Sequence, residues 1–149
     1  MHTPSSASDL PRYFDTLLDF FGPQHWWPGS TRWEIIVGAI LTQNTNWSNV
    51  EKALTNLRDR PLLEYHAMRT LSLETLEECI KPTGFYRVKA QRLRSFFDFI
   101  TRELHDNIGN LENMPLSIAR EKLLSVKGIG PETADSILLY AYDRPIFVV

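Results

Sequence analysis

Apolar residues recur along this chain at three- and four-residue steps, and no alternating run of the kind that builds a half-buried strand is present. From Pro11, the set Tyr13, Phe14, Leu17, Leu18, Phe20 and Phe21 forms one such stripe, closed by Gly22-Pro23. Thr31 and Glu34 stand at capping-box spacing ahead of Ile35, Ile36, Val37, Ala39, Ile40 and Leu41, a run apolar nearly all round that predicts a central buried helix. Asn46 to Arg60 predicts an amphipathic helix with Val50, Ala53, Leu54 and Leu57 inward. Shorter helices are expected from Leu62 to Met68 and, with Ser72 as cap, up to Ile80. Phe85 to Leu104 places Leu93, Phe96, Phe97, Ile100 and Leu104 on one face, and two further helices, Pro115 to Val126 and Pro131 to Tyr142, are separated only by Lys127-Gly128-Ile129-Gly130. The expected fold class is all-α. A polar tail over residues 1–10 precedes one helical domain over 11–149, which closes on a pair of helices joined by a tight hairpin at about 116–142.

Composition narrows this picture. With 149 residues and 43% apolar content, the chain is long enough to bury a core without staples. The single cysteine, Cys79, rules out a disulfide framework or a multi-cysteine cluster within these residues and reads as a small buried hydrophobe. The histidines, His2, His25, His66 and His105, show no metal-ligand spacing. Lys and Arg number 16 against 18 Asp and Glu, a net charge of −2, so any nucleic-acid contact has to come from local patches. The first residues lack a basic-then-apolar leader, and no stretch reaches the ~20 apolar residues of a membrane span. The expectation is a cytoplasmic protein that makes no membrane contact. The run Pro145-Ile146-Phe147-Val148-Val149 stops among apolar residues, which suggests a chain cut inside a structural unit; a run that docks in the core and ends there is the other reading.

Chemistry concentrates in three places. In Leu123 to Ala134, Gly128 and Gly130 permit a tight reversal and close backbone approach, and Pro131 suits the first helical position. Exposed backbone N–H groups there suit a phosphate, with Ile129 plugged into the core, although Gly-x-Gly alone also fits an ordinary helical corner. Lys81, Arg87, Lys89, Arg92 and Arg94 fall in a stretch without acids, which suits phosphate neutralisation but equally a solvated helix face. Trp26, Trp27, Pro28 and Trp47 bring flat apolar surface near Gln43 and Asn44 in sequence. Trp33, on the buried helix, reads as core.

These segments resemble, in order and spacing, the helix-hairpin-helix superfamily of DNA glycosylases that includes endonuclease III. The resemblance rests on Leu123 to Ala134, on Leu41-Thr42-Gln43-Asn44-Thr45, and on Thr83-Gly84-Phe85-Tyr86-Arg87-Val88-Lys89-Ala90, and it covers Trp26 to Val149. Within the superfamily, Trp26-Trp27-Pro28 and Leu-Thr-Gln-Asn-Thr are most similar to the type III 3-methyladenine DNA glycosylases. The resemblance implies base-excision repair of double-stranded DNA, with a damaged, alkylated purine flipped out and released by hydrolysis. It implies a base pocket of Trp27, Pro28 and Trp47, with Gln43 probing the gap left in the duplex. It further implies DNA contacts from Asn44, Lys89, Lys127, Gly128, Ile129, Gly130 and Thr133, and a possible monovalent cation on the Val126 and Gly128 carbonyls. In a bacterium the protein would be nucleoid-associated.

Two departures bear on catalysis. Superfamily members with lyase activity carry a lysine where this chain has Glu132, and a carboxylate cannot form the imine, which leaves monofunctional hydrolysis. The superfamily's catalytic aspartate is expected directly after Val149, so no catalytic residue is assigned within the chain. The expected fold is therefore incomplete at the C-terminus, and the 149-residue polypeptide is expected to be inactive. An iron–sulfur cluster is not supported, and no cofactor is expected in these residues. A non-catalytic helix-hairpin-helix DNA-binding protein is the alternative, and a helical protein-interaction domain a third reading.

Overall fold

The computed structural model describes residues 9–149, and most of the expected tail (residues 1–8) lies outside the described residues. Eight α-helices follow in order: α1 Leu10–Phe21, α2 Arg32–Leu41, α3 Trp47–Asp59, α4 Tyr65–Thr70, α5 Leu73–Ile80, α6 Tyr86–Leu104, α7 Leu116–Leu124 and α8 Pro131–Ser136. The last runs on as a wider π-helical turn, Ile137–Ala141. Short 3-10 turns, Lys81–Thr83 and Ile108–Leu111, join the middle helices, and no strand occurs among the described residues.

Local capping explains most boundaries. The Thr31 hydroxyl accepts from the Glu34 amide, Asn46 caps α3 through the Asn49 amide, and Ser72 caps α5 through the Thr75 amide. Glu34 completes a variant of the capping box, accepting from the Ser30 amide while Arg58 donates to its other oxygen at 2.5 Å. The helix expected over Leu62 to Met68 is displaced to Tyr65–Thr70. The Leu62 amide turns back to the Leu57 carbonyl, and Glu64 takes over as cap, accepting from the Ala67 amide.

α2 runs through the centre, with Ile36, Val37, Ile40 and Leu41 fully buried, as its all-round apolar pattern requires. Around it pack α3, α6, α8 and the π turn. Trp33 is core, its ring against Tyr65, Phe96 and Phe97 and its N–H toward the Met68 sulfur. Cys79 is buried. The end of the π turn is tied to the start of α2. Arg32 donates to the Ala141 carbonyl at 2.9 Å, pairs with Glu112 and lies over the Tyr142 ring. By contrast, α1 forms the expected amphipathic helix, but none of its residues is buried among the described residues.

Lys89 is the main surprise of α6. It is 1% exposed, and its Nζ donates to the Thr83 carbonyl at 2.7 Å. Burial, with Arg92 nearby, pulls its pKa down to about 8. A lysine whose folded value lies below its unfolded value leaves the unfolded chain holding more protons between the two. Its contribution to stability therefore rises with pH from about 8 to ~10.4. Burial shifts Tyr142 upward, and a tyrosine raised on folding contributes stability that is lost as pH climbs above ~10. The unfolding free energy from urea titrations should thus increase between pH 8 and 10, by on the order of 1–3 kcal/mol, and then fall. Lys89→Met should remove the rise, and a flat wild-type profile over that range would contradict the account.

Candidate nucleic-acid interface

The hairpin takes the expected shape. α7 ends at Leu124, the chain reverses through Ser125–Gly130, and Pro131 opens α8 at its first position. Gly128 sits at φ +92°, in the left-handed region, and a Cβ there would run into the Arg92 side chain, so glycine is required twice over. Ile129 and Val126 are buried, each 5% exposed, which seats the hairpin in the core and leaves Lys127, Gly128 and Gly130 exposed. Thr133 is buried behind them. The Val126 carbonyl accepts from the Ile129 amide and the Gly128 carbonyl accepts from Gln43. Each retains one lone pair of the kind a monovalent cation would need.

Gln43 does not project freely from the end of α2. Its Nε2 donates to the Gly128 carbonyl at 3.1 Å and to the Thr133 hydroxyl at 2.9 Å, and Arg92 donates to its Oε1. The side chain expected to probe a duplex is thus a strut between the α2–α3 turn and the hairpin. The adjacent Asn44 is exposed in that turn and held at φ +54°.

A cavity of about 140 Å³ opens beside this strut, lined by Trp27, Ala39, Thr42, Gln43, Asn44, Glu132, Thr133 and Ser136. Its size lies below the ~300–1,000 Å³ of common small-molecule sites. Of the three expected pocket residues, only Trp27 lines it. Trp47 stands edge-on behind Trp27, with ring centroids 5.5 Å apart, and Pro28 is exposed and not among the lining residues. Gly38 on α2 makes room for this pair, because a Cβ there would lie 3.2 Å from the Trp47 ring and 3.5 Å from the Trp27 nitrogen. Trp27 also stacks on Tyr140, 5.0 Å away at 30°. Tyr140 escaped the sequence reading, although it lies seven residues after Thr133, a spacing that places two helical residues on one face. Glu132 is exposed and borders both this cavity and a groove along the hairpin.

The basic stretch divides. Lys89 is buried, so it cannot meet a phosphate at the surface. Arg94 donates to the Arg69 and Leu71 carbonyls, an internal role that its sequence neighbours gave no hint of. Lys81 and Arg87 remain exposed, and Arg92 joins the Gln43 strut. Beside them, Phe85 is 72% exposed at φ +45°, a non-glycine residue held in the left-handed region at the tip before α6. A bulky apolar side chain at such a site is unfavourable in water and strained in backbone, and the Gly84-Phe85 pair was its only sequence signal. Asp135, on α8, is fully buried and held by Arg120 through two hydrogen bonds of 2.7 and 3.2 Å. No helix of the described residues is long and apolar enough to cross a membrane. No group of three or more His, Cys, Asp or Glu side chains there could hold a metal.

Residues 37–149 match the model of the HhH-GPD superfamily, described as base excision DNA repair proteins. Over 143 residues the chain is 49% identical to a protein of Methanocaldococcus jannaschii that carries the provisional name DNA repair glycosylase, covering 93% of this chain and 63% of that protein. Among solved structures, H. pylori 3-methyladenine DNA glycosylase bound to 1,N6-ethenoadenine aligns with a TM-score of 0.77 at 34% identity, over 95% of this chain and 66% of that one. An endonuclease III–DNA complex aligns with a TM-score of 0.75 at 20% identity, over 97% of this chain and 64% of that one, a likeness of fold. The chain spans just under two thirds of the length of these proteins.

Proposed function

The chain belongs to the HhH-GPD superfamily of base excision DNA repair proteins, and from that membership we propose that it grips duplex DNA and draws a damaged, alkylated purine into the cavity beside Trp27 for hydrolytic release. The observation that carries this reading is the cavity itself. It is of nucleobase scale, walled by an indole and a carboxylate, and it adjoins a glycine hairpin open to a DNA backbone.

A purine nucleotide methylated at ring nitrogen N3 or N7 is cationic, so it is attracted to the Trp27 π-face and to Glu132 in a way that a neutral purine is not. Stacking on Trp27 replaces part of the stacking lost when the base leaves the duplex, at about 1–3 kcal/mol per base. The exposed backbone of Gly128–Gly130 and the Lys127 ammonium meet phosphates without reading sequence. Asn44, rather than Gln43, is the side chain free to enter the gap, and Phe85, exposed at its strained tip, is suited to wedge between bases. Glu132 stands where the lyase members of the superfamily carry lysine. It cannot form an imine with the sugar, so the chemistry proposed is hydrolysis without strand cleavage.

The test is release of 3-methyladenine from methylated duplex DNA by a protein that continues past Val149 into the expected aspartate, with borohydride trapping run alongside and the 149-residue chain as the control expected to be inactive. Free base and no covalent protein–DNA adduct are expected. A trapped adduct would overturn the monofunctional reading. Duplex binding without base release would leave a DNA-binding module, and no binding at low salt would overturn both.

A further inference from the structure

Gln43 is the meeting point of three segments far apart in sequence: Arg92 on α6, the end of α2, and the hairpin at Gly128 and Thr133. The chemistry of the neighbours orients its amide. Arg92 has only donors, so it must face the oxygen, and the Gly128 carbonyl only accepts, so it must face the NH₂ group. The turn after α2 has few other ties. Its remaining hydrogen bonds are local, among them Thr45 amide to Thr42 carbonyl, Thr42 hydroxyl to Gly38 carbonyl, Asn49 amide side chain to Thr45 hydroxyl, and the Asn46 cap. Among the described residues, every long-range side-chain hydrogen bond of residues 42–46 runs through Gln43. The Arg92 stem, in turn, lies where a side chain on residue 128 would be, so the bare glycine admits Arg92 as well as a phosphate.

We propose that Arg92 is a positioning residue for base extrusion: by clamping the Gln43 amide onto the hairpin it fixes the Asn44 turn relative to Gly128–Gly130, so that the two loops engage a duplex as one body. This rests on the duplex-binding reading above. Extruding a base costs a few kcal/mol, and the protein can hold the duplex open only if its own loops yield less than the stack does. A turn tied down by local bonds alone would swing away from the hairpin instead. The role depends on the guanidinium's shape and reach rather than on its charge, so lysine should not replace it.

The experiment uses the full chain and a duplex holding one 1,N6-ethenoadenine with 2-aminopurine as its 3′ neighbour, whose fluorescence rises on unstacking. Binding is followed separately by anisotropy across a salt series. For Arg92→Lys the expected result is an unchanged salt slope, affinity within about threefold of wild type, and loss of about half or more of the fluorescence rise at saturating protein. On a Gln43→Ala background, Arg92→Lys should have no further effect on fluorescence, because the partner it acts through is gone. A wild-type fluorescence rise in Arg92→Lys, or an equal loss on both backgrounds, would overturn the inference while leaving duplex binding intact. A wild-type chain that fails to bind the duplex at all would instead overturn the functional reading, and this inference with it.

Discussion

Replacing Arg120 by Met should strand the Asp135 carboxylate and destabilise the protein by about 3–5 kcal/mol, the cost of leaving a buried charge without its partner. Asp135 has no exposed surface, and both its oxygens are held by one guanidinium, Nε at 2.7 Å and a terminal nitrogen at 3.2 Å. Pairing with Asp135 also raises the Arg120 pKa, so the guanidinium stays charged throughout the working range. The bond joins α7 to α8 across the hairpin, and its loss therefore falls on the element proposed to meet DNA. Asp135→Asn should cost less, because a neutral amide is cheaper to bury and Arg120, partly exposed, can turn to water. The double variant Arg120→Met, Asp135→Leu should recover most of the loss, since an apolar pair fills the space without a desolvation penalty. Urea unfolding of the three variants checks the order. A single Arg120→Met variant within about 1 kcal/mol of wild type would show that Asp135 finds another donor or water.

How far the sequence could be read follows from how local each cause is. Thr31, Asn46 and Ser72 cap helices through amides three residues away, so pattern and spacing suffice to find them. The α2 core and the seated Ile129 follow from apolar periodicity and from a hairpin too short to place that side chain elsewhere. The failures share a different cause. Lys89 looked like a surface cation among Arg87, Arg92 and Arg94, yet the Thr83 carbonyl sits beneath it because the Lys81–Thr83 turn folds under α6. Asp135 and Gln43 owe their states to partners 15 and 90 residues away, which no spacing rule reports. The resemblance to the glycosylase superfamily groups Trp47 and Pro28 with Trp27 in one pocket. Only the packing over Gly38 shows that one ring faces the cavity and another stands behind it.

That separation gives the second large effect. Trp27→Ala should weaken binding to a duplex carrying 1,N6-ethenoadenine about 5- to 150-fold, the equivalent of the ~1–3 kcal/mol that base–aromatic stacking supplies. Binding to an undamaged duplex, which draws on the hairpin and the basic side chains, should change less than about twofold. Pro28→Ala, at a site that does not line the cavity, should leave both affinities near wild type. Trp47→Ala should act through stability instead, because its ring packs on Gly38 and against the edge of Trp27. Tyr140→Leu keeps apolar volume but removes the ring stacked 5.0 Å behind Trp27, so its lesion affinity should fall between those of wild type and Trp27→Ala. Anisotropy titrations with the two duplexes distinguish these outcomes. Equal losses on damaged and undamaged DNA for Trp27→Ala would remove Trp27 from base recognition and make it part of the fold. A loss confined to the damaged duplex, graded from Trp27 through Tyr140 to Pro28, is the pattern that a single-walled indole pocket produces.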